Sequence, residues 1–170
     1  HVHFLTKTPS PQVVIKALQD IKPGIVIVVP LILEKIVRNK IFPILHKPHI
    51  RFLTSIPLLR QAIYRTIRNK LYNALGGNFY ECIIGGAAFN KEVEDFLHLI
   101  KFPYTVGYGM TECGPIIGYE DWSVFKKGSC GKTVPRMEVK ILSPDPQNIP
   151  GEIITKGANV MLGYYKNEQE

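Results

Sequence analysis

Apolar and polar positions follow two rhythms along this chain, and the switches between them predict its elements. Val2 to Leu5 reads as a strand. Ser10 with Pro11 opens a helix running to about Asp20, since a hydroxyl at the cap and a proline at the first helical position both suit a helix start. Lys22-Pro23-Gly24 ends it. Ile25 to Val29 is an unbroken β-branched run, the pattern of a strand buried on both faces, and Pro30 starts a helix that continues to about Asn39. Thr54 or Ser55 is placed to cap a longer helix in which Leu58, Leu59, Ala62, Ile63, Ile67, Leu71 and Ala74 form one stripe, closed by Gly76-Gly77. Then come a strand from Phe79 to Ile84, a loop at Gly85 to Phe89, a helix capped by Asn90, and a strand from Tyr104 to Val106.

Strand and helix in alternation predict an α/β fold: a parallel βαβαβ sheet flanked by helices. From about Lys126 glycine and proline become dense. The segments Met137 to Leu142, Glu152 to Lys156 and Val160 to Tyr165 alternate in the strand rhythm, with a turn-rich connector at Ser143 to Asn148. The expected organisation is a parallel α/β subdomain over 1–125 and an incomplete β-rich segment over 126–170. Ligands on parallel sheets gather beyond the carboxyl ends of the strands. The loops that follow Ile84 and Val106 are therefore expected side by side at one rim.

Composition narrows the class. Of 170 residues, 45% are hydrophobic and 21% charged, which suits a globular protein with a core of its own. No apolar run approaches the ~20 residues of a membrane span; the longest, Ile25 to Leu33, contains Pro30. No charged start leads into an apolar block, so no secretory signal is expected. Three cysteines without a CxxC pair, Cys82, Cys113 and Cys130, argue for a reducing compartment and against a zinc site or disulfide framework. The net charge of +7 is concentrated between Lys35 and Lys70, on helices whose other faces are apolar. That pattern fits a solvated helix surface or peripheral contact with an anionic membrane. The aromatic-interleaved groove of a single-strand binder is missing, so no nucleic acid is expected. The expected location is cytoplasmic, with membrane association through the basic helices.

The densest chemistry lies at Tyr108-Gly109-Met110-Thr111-Glu112, which joins an aromatic ring, a residue without a side chain, a hydroxyl and a carboxylate. A nucleotide site uses that set: a ring against the base, room for close backbone approach, a phosphate donor and a hard oxygen for magnesium. A purely structural reading makes it a core tyrosine, a turn glycine and a helix start capped by Thr111. Gly131-Lys132-Thr133 is not a phosphate-binding Walker loop, because the glycine needed five positions earlier is Lys126 and Val134-Pro135 follows instead of a helix.

With Gly85-Gly86-Ala87-Ala88 upstream and Gly128-Ser129-Cys130-Gly131 and Gly151-Glu152-Ile153-Ile154 downstream, the chain resembles the adenylate-forming acyl-CoA synthetases, most closely the long-chain fatty acid type. The segment Val29-Pro30-Leu31-Ile32-Leu33-Glu34-Lys35-Ile36, followed by a basic helix, carries the long-chain resemblance. The resemblance implies ATP-driven activation of a fatty acid to an acyl-adenylate and transfer to coenzyme A. It places Tyr108 against adenine, Thr111 at the α-phosphate and Glu112 on Mg2+. It puts Gly85, Gly86 and Ala87 beneath the base, and Gly107 and Gly109 where the activated carboxyl sits. The family often has proline where Ala88 stands, and threonine or serine where Cys113 stands. The rival reading is a basic α/β module that binds acidic lipid or nucleic acid and uses its glycines only structurally.

Several family parts have no counterpart in this sequence: a Ser/Thr/Gly-rich loop ending in Pro-Lys-Gly, an aspartate in a Thr-Gly-Asp context, and a mobile carboxy-terminal domain with its lysine. The chain is therefore expected to be an internal segment of a larger ligase, inactive alone and lacking the amino- and carboxy-terminal parts of the same protein. Acid-dependent pyrophosphate–ATP exchange with the 170-residue chain should stay at background, and exchange above background would overturn that expectation.

Overall fold

The computed structural model describes Thr6 and residues 10–167, so the strand expected at Val2 to Leu5 lies outside the described residues. The chain divides into two compact units, His1–Tyr104 and Thr105–Glu170. In the first, α1 (Pro11–Ile21) starts as its sequence predicts: the Ser10 hydroxyl oxygen accepts the Val13 N–H at 3.3 Å, and Lys22 ends the helix in the left-handed conformation. Strand β1 (Ile25–Val28) pairs in parallel with β2 (Glu81–Ile84), Ile25 opposite Glu81 and Val28 opposite Ile84. The sheet order is β1-β2-β3, with β3 at Tyr104–Val106. Between β2 and β3 lies α6 (Lys91–Leu99), capped by the Asn90 side chain, which accepts the Val93 N–H at 3.2 Å.

The connection from β1 to β2 carries four helices and departs from the sequence reading at two prolines. The helix starting at Pro30 keeps α form only as α2 (Pro30–Ile36), then widens to a π turn over Val37–Ile41 before α3 (Phe42–Leu45). Pro43 has no N–H to give the Asn39 carbonyl, and the chain relaxes to the wider register just ahead of it, Phe42 N–H bonding to Val37 O. Thr54 and Ser55 do not cap the long helix. They finish α4 (Pro48–Ser55), their hydroxyls donating back to the Arg51 and Phe52 carbonyls at 3.0 and 2.6 Å. The long helix, α5 (Pro57–Ala74), starts at Pro57. A residue before proline is disfavoured in the α region, and Ile56 takes φ −88°, ψ 118°, so the break falls there.

Leu33, Val37, Leu75, Cys82, Ile84, Val93 and Leu97 form the centre of this unit. Burial pushes the Cys82 thiol up to about 12, with the Glu81 charge as the lesser cause, so this cysteine stays protonated and inert. Burial likewise raises the Tyr104 hydroxyl well above its usual range, with Glu94 as the next cause. One expectation fails. The Ile25–Val29 run is not buried on both faces, because successive strand side chains point to opposite sides and only Val26 and Val28 meet the core. Ile27 is 75% exposed, and Ile25 and Val29 also lie open.

The second unit is built from antiparallel strands that begin before Lys126. Strand β4 (Tyr108–Gly109) pairs with β5 (Ile116–Tyr119), which pairs with β6 (Lys132–Thr133). Strands β7 (Met137–Leu142) and β8 (Glu152–Gly157) form a hairpin in unbroken register. Its core joins Cys113, Ile117 and Met137, with Tyr108 and Val134 packed on them. No strand covers Val160 to Tyr165; that stretch has a single bridge, Tyr164 to Asn167.

Gly76 closes α5 at φ +106°, and a Cβ there would lie 2.6 Å from the Leu18 carbonyl oxygen. Gly76→Ala should lower the stability of the first unit by about 1–3 kcal/mol in urea unfolding; an unchanged midpoint would refute the strain argument.

Candidate functional site

The nominated residues fall on two loops, one in each unit. In the first unit Gly85, Gly86 and Ala87 leave the end of β2, where the Gly85 N–H bonds to the Val28 carbonyl at 3.2 Å. Gly86 and Ala87 are exposed. Gly86 has φ +89°, and a Cβ built there would meet only Val29 Cγ1, at 3.8 Å. Within the protein the position demands glycine for its backbone conformation, not for lack of room. Downstream, Asn90 N–H bonds to Glu34 Oε1 at 3.0 Å and ties the end of the loop to α2.

In the second unit Gly107, Tyr108, Gly109, Thr111 and Glu112 follow β3. The half-buried Tyr108 rests on the Cys113–Ile117–Met137 cluster. Between Tyr108 and Gly109 the register slips by one residue against β5, and this bulge turns the chain out of the ladder. Gly109 sits where a Cβ would lie 1.9 Å from the Pro115 carbonyl oxygen, and that same oxygen accepts the Met110 N–H at 2.8 Å. The loop can close only if position 109 has no side chain. Thr111–Cys113 forms a single 3-10 turn that ends at Gly114, φ +60°. Thr111 is its first residue and not its cap; that position belongs to Met110, which lacks a capping side chain.

Glu112 is held from the far end of the unit. The Tyr164 hydroxyl donates to Glu112 Oε1 at 2.6 Å, and the Met161 N–H bonds to the Glu112 carbonyl at 2.8 Å. The Asn159 side-chain amide donates to the Cys113 carbonyl, and the Cys113 thiol lies 3.5 Å from the Thr155 hydroxyl. The Tyr164 hydrogen bond, followed by the residue's own N–H, keeps the Glu112 carboxyl below its ordinary range. At neutral pH Glu112 is thus an ionised, positioned hard oxygen. Among the described residues no group of three or more His, Cys, Asp and Glu side chains is placed to hold a metal ion. A groove of about 390 Å³ runs beside Pro135–Glu138 and Lys156–Ala158, and none of the nominated residues lines it.

The family model for AMP-binding enzymes matches residues 1–165. The chain belongs to the AMP-binding enzyme family. It is 31% identical over 151 residues to 4-coumarate--CoA ligase 1 of Arabidopsis thaliana, a match covering 81% of this chain and 26% of that protein. The chain thus spans about a quarter of that relative's length. A benzoate CoA ligase from Burkholderia xenovorans LB400 shares its fold, with a TM-score of 0.65 at 17% identity over 95% of this chain and 28% of that one. So does o-succinylbenzoate coenzyme A synthetase from Bacillus subtilis in complex with ATP and magnesium ion, with a TM-score of 0.58 at 21% identity over 94% of this chain and 28% of that one. The α/β architecture expected from the sequence, a parallel sheet flanked by helices and then short antiparallel strands, is that of these enzymes. The match is to the AMP-binding family as a whole, and the named relative is a 4-coumarate ligase, not a long-chain fatty acid ligase.

In this AMP-binding family member, sequence reading missed Pro115, Asn159 and Tyr164. Pro115 acts through its own backbone carbonyl, which carries no sequence signature, and Asn159 through a side-chain amide that donates to the distant Cys113 carbonyl. Tyr164 lies in a stretch whose alternation predicts a strand, a pattern that assigns its hydroxyl no partner.

Because the folded carboxyl titrates below the ordinary range, the Tyr164–Glu112 bond stabilises the fold above that range and is lost as pH falls through the lowered value. Tyr164→Phe should move the Glu112 titration upward, read from the side-chain carboxyl resonance by NMR; an unmoved titration would remove Tyr164 as the cause.

Proposed function

We propose that the whole protein is an AMP-forming acid–CoA ligase in which this chain supplies the adenine- and magnesium-facing part of the nucleotide site. The carrying observation is Glu112: a family member holds an ionised carboxylate on a tight turn, three residues past Gly109, which must lack a side chain. In this reading the acid's carboxylate oxygen attacks the α-phosphorus of ATP and pyrophosphate leaves. The thiol of coenzyme A then attacks the acyl carbon and AMP leaves. Both steps concentrate negative charge at the α-phosphate, where fixed donors and cations act most strongly.

The Tyr108 ring stacks on adenine and the exposed Thr111 hydroxyl donates to the α-phosphate. Glu112 fits Mg2+, which is commonly held by one or two carboxylates together with substrate phosphates. When bound, the ion supplies charge neutralisation at the phosphates. Gly109 serves the site indirectly, by letting the turn that carries Thr111 and Glu112 close against the Pro115 carbonyl.

The named relative favours a 4-coumarate-type aromatic acid. A long-chain fatty acid is the second reading, favoured by the Val29–Ile36 segment and the basic helices after it.

In the whole protein Glu112→Gln should lower acid-dependent pyrophosphate exchange by at least about tenfold and raise the magnesium concentration for half-maximal rate. Unchanged magnesium dependence would remove Glu112 from the metal. Comparison of kcat/KM for 4-coumarate and for palmitate decides the acid, and exchange with no carboxylic acid at all would overturn the ligase assignment.

A further inference from the structure

The stretch from Lys35 to Tyr80 contains nine lysines and arginines and no aspartate or glutamate, while the other 124 residues carry 12 basic and 14 acidic side chains. All of the excess positive charge therefore sits on α2 to α5 and their connections. Among the described residues only Arg38 of the nine reaches a carboxylate, Glu92 at 3.4 Å. The cations that follow it, Lys40, Lys47, Arg51, Arg60, Arg65 and Lys70, are exposed.

The same helices expose large apolar side chains. At the α4–α5 corner Phe52 is 69% and Leu58 82% exposed, and Ile56 and Leu59 between and beside them are open as well. Helix α5 buries only Leu71, near its end. Leu58 and Arg65, seven residues apart, share one face of it. Lys47 and Arg51 precede the apolar corner, and Arg60 and Arg65 follow it.

We propose that the α4–α5 corner docks the protein on an anionic lipid bilayer, with Phe52, Ile56, Leu58 and Leu59 entering the headgroup–acyl boundary and the flanking cations meeting lipid phosphates and carboxylates. Charge complementarity selects this occupant. A second copy would need an acidic face, and this chain's acidic residues number only 14, none of them in the stretch. Nucleic acid would leave the apolar corner in water. An interfacial helix combines an apolar insertion with Lys and Arg at its margins, and no helix among the described residues is long and apolar enough to cross a membrane. The contact is thus peripheral and salt-sensitive.

The test is co-sedimentation of the whole protein with vesicles of phosphatidylcholine alone or with about 30 mol% phosphatidylserine, at low and high salt. The whole protein should pellet only with the anionic vesicles, and less at high salt. Each cation near such a surface is worth about a fivefold change in partition, so Arg51→Glu/Arg60→Glu/Arg65→Glu should abolish pelleting. Lys16→Glu/Lys126→Glu/Lys140→Glu, with the same change in net charge, should leave it within about fivefold of the parent. Phe52→Ser/Leu58→Ser removes only exposed side chains, keeps the charge and should weaken binding at high salt, which decides the matter if the triple variant does not fold. Failure of the whole protein to pellet, which would assign the corner to the remainder of the same protein, equal loss in the control triple, full binding by the Phe52/Leu58 variant, or binding to duplex DNA with none to vesicles would each overturn the proposal.

Discussion

The second unit depends on one close approach, the Gly109 backbone against the Pro115 carbonyl. The contact leaves no space for a Cβ, and the Met110 N–H takes up the same oxygen. It fixes where the 3-10 turn begins, and with it where Thr111 and Glu112 leave the backbone. Everything that follows in the unit is arranged around that turn. Asn159 holds the Cys113 carbonyl, Met161 the Glu112 carbonyl and Tyr164 the Glu112 carboxylate. Two side chains and one backbone N–H from residues 159–164 thus secure a turn roughly fifty residues earlier in the chain, so the candidate site is a tertiary product and not a local motif.

The two glycines singled out by sequence are needed for different reasons. At Gly109 the reason is space: with its φ outside the left-handed region, another carbonyl occupies the Cβ position. At Gly86 the reason is torsion, since a Cβ would find ordinary contact but the backbone sits at φ +89°. A composition argument treats both as room for a ligand. The coordinates separate a glycine required by the protein's own packing from one required by its backbone conformation.

Legibility followed locality. Ser10, Pro11, Asn90 and the Gly76-Gly77 pair announce their elements because their hydrogen bonds and torsions involve near neighbours, and those boundaries came out within a residue or two. The Ile56–Pro57 break is legible in the proline, which disfavours α geometry at the preceding residue, but the hydroxyls of Thr54 and Ser55 offer a competing cap, and Phe42 before Pro43 stays helical all the same. The β-branched run at Ile25 signalled a strand correctly and its burial incorrectly, because apolar composition does not say which face a neighbouring element will cover. Tyr108 to Glu112 was conspicuous as a motif. What holds its carboxylate was not, since that partner lies 52 residues away.

The distribution of thiols has a practical side. Cys82 and Cys113 are sealed in separate cores, one in each unit, and Cys130 alone is exposed, on the turn leading into β6. An alkylating reagent at neutral pH therefore meets a single sulfur in the folded chain, and internal crosslinking among the three would require a core to open. Cys130 gives the molecule one address for a fluorophore or spin label, on the unit that carries Glu112.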